Sequence, residues 1–537
     1  MCKDPSRSMR WGSVGVLAML LAVMMASTAF SGCIGNNGGG GDDDDQPPPP
    51  PPPDSDVTHF LNGDCNLAGN GLQPDCAGEV GGVGPFNDIS LALLSLTAGD
   101  VLQIANGSYA GRISITESDG HSAGTQNSPI TVRGSGQTVL TGGIDNRTTI
   151  QIKRSFWQFE TLRIVNDGES AESITAGQIK VRGPVSGIVL RDLDVDGQMR
   201  SIAGISVGCI DGEGCPQNTL IENSIVYDQW LAEDGDAHCI YLDSAAAGDG
   251  RVYNTTIRNI TSFGCDGDSV QIHQDKLAEM TPPDSTLIEN CNFYRAYAQG
   301  REENAIDVKA GTNVTIRNNL LQGYRPTYTS PPGSAIVIHM GGGDTIIEGN
   351  RIVDSSYGIR IAHGSGASYP VNVTVRNNLI LASTNEGQGE GTAIFVGEAV
   401  DVKIFHNTIV GCDGPCMNIT GEASGVVIAN NIVVASNSTE FQISAQLAGN
   451  QSLLVFHHNL LVDEQGERGR INGNPYEDAH CPDCIDLPPQ FINPASDFHL
   501  AETSPAIDAG GDLGVVMDRD GCTRDATPDL GAYEFDC

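Results

Sequence analysis

The stretch ENAIDVKAGTNVTIRNN, residues 303–319, holds two β-branched alternations separated by a glycine turn and ends in two asparagines. Side chains along a strand face alternate ways, so Ile306 and Val308 share one face while Asp307 and Lys309 share the other. The second half recurs along the chain as NTLIENS (218–224), NTTIRNI (254–260), STLIENC (285–291), DTIIEGN (344–350), NVTVRNN (372–378), DVKIFHN (401–407) and GVVIANN (425–431). Successive copies lie 24 to 36 residues apart, and each reads as a strand running into a turn. The first half recurs between them as HCIYLD, DSVQIH, SAIVIH, YGIRIA and TAIFVG. No 3.6-residue period separates the copies, which excludes alternating strand and helix units. Two or three short strands per repeat predict an all-β fold, a single-stranded parallel β-helix whose coils stack about 4.8 Å apart. Asn319, Asn350, Asn378, Asn407 and Asn431 then fall in one column, where stacked amides bond along a ladder in a structural role.

The same register maps the outer wall. Asp243, His273, Lys309 and His339 form one outward column; Tyr241, Gln271, Asp307, Val337 and Arg360 form its neighbour. His238, Asp268 and Asn304 stand at the strand entrances, with Asp234, Asp236, Asp266, Glu302 and Glu303 in the loops before them. Any one of these residues is accounted for by the polarity of a solvated face. As a group they gather lysine and histidine on adjacent coils of a chain poor in both, and such mixed clusters shift pKa values and support acid–base chemistry. The carboxylates around them suit a hard cation such as Ca²⁺, which takes oxygen ligands.

The flanks define the domains. Residues 1–33 combine Arg10, an apolar run and FSGC, the pattern of an export signal, and FSGC resembles the lipobox of bacterial lipoproteins. That resemblance implies lipidation at Cys33 and an outer-membrane lipoprotein facing the periplasm or the exterior, in contact with the membrane through its lipid alone. Residues 34–56, rich in glycine, aspartate and proline, cannot bury an apolar core and read as a disordered tether. The parallel β-helix is assigned to 57–490 and a terminal segment of it to 491–537, and a monomer is expected. A formal charge of −38 argues against nucleic acid as a partner. It also sits awkwardly with an acidic substrate unless a cation bridges the two. Thirteen cysteines follow Cys33, and export to an oxidising compartment favours disulfides. The close pairs 65/76, 209/215, 412/416 and 522/537 are candidates, an odd count leaves one thiol over, and Cys481 and Cys484 form a CxxC without a second pair at zinc-site spacing.

The opening NDISLALLSLTAGDVLQIANGSYAGRISI (87–115), with an apolar helix pattern at 88–96 that caps the first coil, resembles the start of pectate-lyase-like right-handed parallel β-helix proteins. The ending SPAIDAGGDLGVVMDRDGCTRDATPDLGAYEF (504–535) resembles the terminal segment of bacterial members. Within that group, EENAIDVK (302–309) is similar to the acidic-strand-lysine segment of chondroitinase B and alginate lyase β-helix enzymes. The resemblance implies a calcium-assisted polysaccharide lyase acting on uronic-acid glycan by β-elimination. Glu302 would be a calcium ligand and Lys309 the base, with His339 or Arg360 stabilising charge or assisting the leaving oxygen. The chain departs from the pattern at Asn304, where a second acidic ligand is expected, and at His339, where the group has arginine. Three alternatives stay open: a non-catalytic surface module that binds carbohydrate, a uronate epimerase, and a glycoside hydrolase. GCDGDSVQI and GIRIAHG come near the hydrolase signature without supplying its paired aspartates or its GHG.

Overall fold

A computed structural model describes residues 56–535 except 77–81, 143–147, 167–176, 231–235, 245–249, 275–280, 298–301, 326–332, 365–367, 385–389, 437–440, 444–453, 473, 476 and 478–480. The segment read as an export signal, Cys33 and all but the last residue of the segment read as a tether lie outside the described residues. Among the described residues no helix is long and apolar enough to cross a membrane.

Each coil of the repeat carries three strands, as in Asn304–Lys309, Thr315–Arg317 and Leu320–Gln322, followed one coil later by Ser334–His339, Gly343–Glu348 and Arg351–Val353. Each strand pairs in parallel with its equivalent on the next coil. The first strands build a 14-stranded sheet, parallel up to its final pairing, and the second and third strands join in a 25-stranded one. Inside, one aliphatic row follows another: Ile240, Val270, Ile306, Ile336, Ile359 and Ile394 lie in register and are fully buried. Each such side chain contributes about 1.5–3 kcal/mol by leaving water. At the N-terminal end the helix Ile89–Ser95 is capped by Asp88, whose carboxylate accepts from the amides of Ser90 and Leu91, and it buries Ala92 and Leu93.

The turn between second and third strands explains the double asparagines. The first position is left-handed, with φ of 56° at Asn318, 55° at Asn377 and 61° at Asn430, a conformation asparagine tolerates better than most residues. The second turns its amide inward. Asn319 donates to Asn350, Asn350 to Asn378, Asn378 to Asn407 and Asn407 to Asn431, each at 3.0 Å. The ladder runs one step further, from Asn431 to Asn459 at 2.9 Å.

A second column, on the outside of the larger sheet, alternates arginine and glutamate. Arg133 and Arg191 contact Glu160, Arg191 and Arg258 contact Glu222, Arg317 contacts Glu289 and Arg376 contacts Glu348. Five of the chain's 23 arginines are thereby committed to holding coils together.

The terminal segment folds back along the asparagine turns. Its strands Phe491–Asn493 and Asp497–Leu500 pair antiparallel. Arg524, almost wholly buried, donates to Asn377 Oδ1 (3.1 Å) and Glu534 (2.8 Å). Three of the expected disulfides form, 65–76, 209–215 and 412–416. Cys522 is disulfide-bonded as well, whereas Cys537 lies outside the described residues. Cys481 and Cys484 pair with each other, Cys239 pairs with Cys265 inside the coil, and Cys291 is a buried free thiol.

Candidate functional site

The 14-stranded sheet carries the site. Tyr241 registers with Gln271, Gln271 with Asp307, and Val337 with Arg360. Asp243 registers with His273 and Lys309 with His339, while the pairing of Ile272 with Val308 sets His273 and Lys309 one above the other. Aliphatic residues between these positions point inward, which forces the polar set onto the outer wall.

Asp307 is the hub. The alternation places it on the solvent side, but the structure buries it to 3 % exposure beneath its neighbours. Its Oδ1 accepts from His339 Nε2 at 2.8 Å and its other oxygen lies 3.3 Å from Lys309 Nζ. Burial pushes the Asp307 carboxyl up, but His339 and Lys309 outweigh it and bring the group below the usual aspartate range. Burial likewise pushes the Lys309 ammonium down, and here the carboxylates of Asp307, Asp268, Asp236 and Glu303 win, holding the amine protonated well above the ordinary lysine value. Lysine in this setting is an acid or a charge stabiliser until its carboxylates are neutralised.

Beside the hub lie His273 and Tyr241, whose Nδ1 and hydroxyl are 2.9 Å apart, and the Tyr241 ring stacks between His273 and His238. Arg360 is not part of this group. It is two coils beyond Asp307 in the same column and its guanidinium sits 5.8 Å over the Phe395 ring.

The expected cation ligands separate into two sets. Glu302 turns away from the wall: its Oε1 accepts from the amides of Gly264 (2.7 Å) and Ala296 (2.9 Å), and its Oε2 from Tyr297 (2.8 Å). Its role is to tie the loop before the strand. The three backbone donors engage Glu302 in the loop rather than in the donor set at the wall. Asn304 donates to Asp268 (2.8 Å) and accepts from the Ser334 amide (2.9 Å), which makes it a brace between coils. Asp266 is buried, and Glu303 is partly buried beside the hub.

The residues that do converge are Asp236, His238 and Asp268, one donor atom of each lying within 4.8 Å of the others. Asp268 is buried and also accepts from Gln271 Nε2 at 2.8 Å. Gly267 admits the cluster, since a Cβ there would fall 2.2 Å from Asp236 Oδ1. Burial, Asp307 and Glu303 drive the Asp268 pKa well above the usual carboxylate range; burial, Asp307 and Asp236 push Glu303 up to about 7. Burial pushes His238 down to about 4, so its imidazole is neutral and able to ligate at neutral pH. Four carboxylates crowded around one ammonium fit a divalent cation. An imidazole beside two carboxylates suits a borderline ion such as Mn²⁺ or Zn²⁺ better than Ca²⁺, which prefers oxygen throughout. Position alone put Asp236 and His238 near the site; nothing in their spacing marked them as ligands.

A family model described as "Right handed beta helix region" matches residues 238–433 and 305–466. Among solved structures, the chain is similar to a mannuronic acid-specific family 6 polysaccharide lyase from human gut microbiota, at 16% identity over 74% of this chain and 87% of that one, TM-score 0.49. It is similar to a family 6 polysaccharide lyase from Pseudopedobacter saltans at 14% identity over 73% and 92%, TM-score 0.43. It is also similar to the A-module of a mannuronan C-5 epimerase from Azotobacter vinelandii at 15% identity over 75% and 96%, TM-score 0.47. No curated protein matches the chain. The coil-by-coil parallel pairing together with the family-model match gives the architecture: the chain is a right-handed parallel β-helix.

Proposed function

We propose that this β-helix is exported, tethered to the outer membrane through Cys33, and cleaves an acidic polysaccharide beside a uronic acid by β-elimination. The observation that carries the proposal is the buried Asp307 carboxylate shared between Lys309 and His339 on adjacent coils, next to a convergent donor set at Asp236, His238 and Asp268.

The chemistry needs a base for the proton α to a carboxylate, relief of that carboxylate's charge, and a proton for the departing oxygen. In the proposed step the Lys309 amine takes the C5 proton. The freed electron pair forms the C4–C5 double bond, the bond from C4 to the bridging oxygen breaks, and His339, oriented by Asp307, delivers a proton to that oxygen. A cation held by Asp236, His238 and Asp268 would neutralise the substrate carboxylate and the carboxylates that keep Lys309 protonated. Asp307 fixes both reacting groups from one buried point, and Gln271 and Asn304 hold Asp268 in place.

The proposal is tested by exposing the purified protein to pectate, alginate and glycosaminoglycans and following the ultraviolet absorbance of unsaturated ends, with and without chelator. Product that needs the divalent ion and vanishes in Lys309→Ala supports it. Absence of product across the panel with every added ion contradicts it. A second reading, a non-catalytic glycan-binding module, is favoured by one observation: the resting Lys309 is held as a cation, which binds an anion well and abstracts a proton poorly.

A further inference from the structure

The wall of the site continues toward the N-terminus into a cavity of about 520 Å³, lined by Gln151, Lys153, Lys180, Arg182 and a short loop closed by the Cys209–Cys215 disulfide, with Asp211 and Asp243 also facing it. Lys180 stands in the column of Gln151, Ser206 and Tyr241; Arg182 stands in the column of Gly208, Asp243 and His273. These are the two columns that carry Asp307 and Lys309 four coils further on, roughly 19 Å away at about 4.8 Å per coil.

Three cations at one cavity are unexpected here. The chain has 29 lysines and arginines against 67 acidic residues, and five of the arginines are paired with glutamates on the larger sheet. In the cavity the pairing is loose. Arg182 is 3.9 Å from Asp243 and Lys153 is 4.0 Å from Glu213. Arg182 also donates to Ser206 Oγ at 3.0 Å, and Arg112 donates to Gln151 at the edge. Lys180 has no hydrogen bond or ion pair among the described residues, and burial together with Arg182 and Arg112 lowers its pKa. Room has been left for the guanidinium as well: a Cβ on Gly208 would fall 2.0 Å from Arg182 Nη1. Arg182 and Lys153 have carboxylates at the edge of contact, whereas Lys180, beside Arg182 on the same strand, has none among the described residues; the pair on this strand forms a receptor for an anionic group, with arginine offering a planar fork and lysine a point charge.

We infer that this cavity is a second binding site on the same wall, taking the carboxylate or sulfate groups of an acidic glycan that extends from the Lys309 cluster over the N-terminal coils. The identity of the ligand rests on the glycan reading above; the anion site itself does not. It gives the acidic protein a local foothold for an acidic chain, and it makes binding depend on chain length.

The test uses the full chain carrying Lys309→Ala, so that bound glycan is not consumed. Binding of a uronate hexasaccharide, a disaccharide, a neutral hexasaccharide and inorganic sulfate is measured by titration calorimetry, alone and with Lys180→Met or Lys180→Arg added. The expected result is at least tenfold weaker hexasaccharide binding in Lys180→Met, recovery in Lys180→Arg, no change for the disaccharide, and a shallower salt dependence of the hexasaccharide affinity. The inference is overturned by equal hexasaccharide affinity with and without Lys180, by sulfate binding as tightly as the hexasaccharide, which marks a free-anion site, or by no binding of acidic glycan at all. Hexasaccharide binding that depends on Lys180 in a protein whose unmutated form yields no unsaturated product would refute the lyase proposal and leave this site standing.

Discussion

His339 Nε2 donates to Asp307 Oδ1 across 2.8 Å, joining two successive coils at the one point on the wall where a lysine also meets the carboxylate. A carboxylate buried to 3 % exposure keeps its charge there because His339 and Lys309 together outweigh the cost of burial and hold its pKa down.

Replacing Asp307 with asparagine keeps the shape and removes the charge. Turnover on a responsive polyuronate is expected to fall by about 10²–10⁴-fold, with a stability loss of about 1–3 kcal/mol, reduced from the fully buried case because Lys309 reaches solvent. Kinetics and urea denaturation on the same samples check both; unchanged turnover would remove Asp307 from the mechanism.

The asparagine ladder makes a separate prediction. Asn378 donates to Asn407 and to the carbonyls of Ile347 and Arg376, and accepts from Asn350. Asn378→Ala leaves several buried groups unpaired, at about 1–3 kcal/mol for each group that stays unsatisfied. Asn459, the last rung with an amide in the ladder, is expected to cost less. Comparing the two variants in denaturant separates a cooperative ladder from independent pairs.

Stability should also fall in acid through His406. The imidazole is buried at the dock of the terminal segment, where Nδ1 donates to the Asp529 carbonyl and Nε2 accepts from Asn430. Burial, and then Arg524, depress its pKa well below 6.5. Because the folded pKa lies under the unfolded one, the unfolded state binds the proton more readily. The contribution is complete above 6.5 and is lost as pH falls from there toward the folded value, at up to about 1.4 kcal/mol per pH unit. Thermal melts between pH 7 and 5 should show this slope, and His406→Gln should flatten it.

The Cys239–Cys265 disulfide pins the coil beside the entrances at His238 and Asp268. Converting both cysteines to alanine is expected to cost about 2–4 kcal/mol and to weaken divalent-ion binding measured by calorimetry. A variant that melts lower but binds the ion equally would separate the disulfide from the site.

The wall was legible in the sequence because a solenoid converts period-two alternation into columns: once NVTIRNN was aligned with its copies, the neighbours of Lys309 followed. The loops do not repeat, so nothing in the sequence signalled that the Glu302 oxygens close on the amides of Gly264, Ala296 and Tyr297. For the same reason the meeting of Asp236, His238 and Asp268 gave no motif. The burial of Asp307 was hidden because outward from the coil is not the same as open to water once neighbouring side chains close over it. Lys180 and Arg182 escaped notice because the early coils lack the asparagine phrase that set the register elsewhere.

Mass spectrometry of the products released from polyuronate tests the central claim most directly. Elimination through Lys309 predicts unsaturated oligosaccharides, lighter by one water than hydrolytic ones, from the unaltered protein and none from Lys309→Ala. Hydrated products, or unsaturated products formed as readily by the variant, would contradict it.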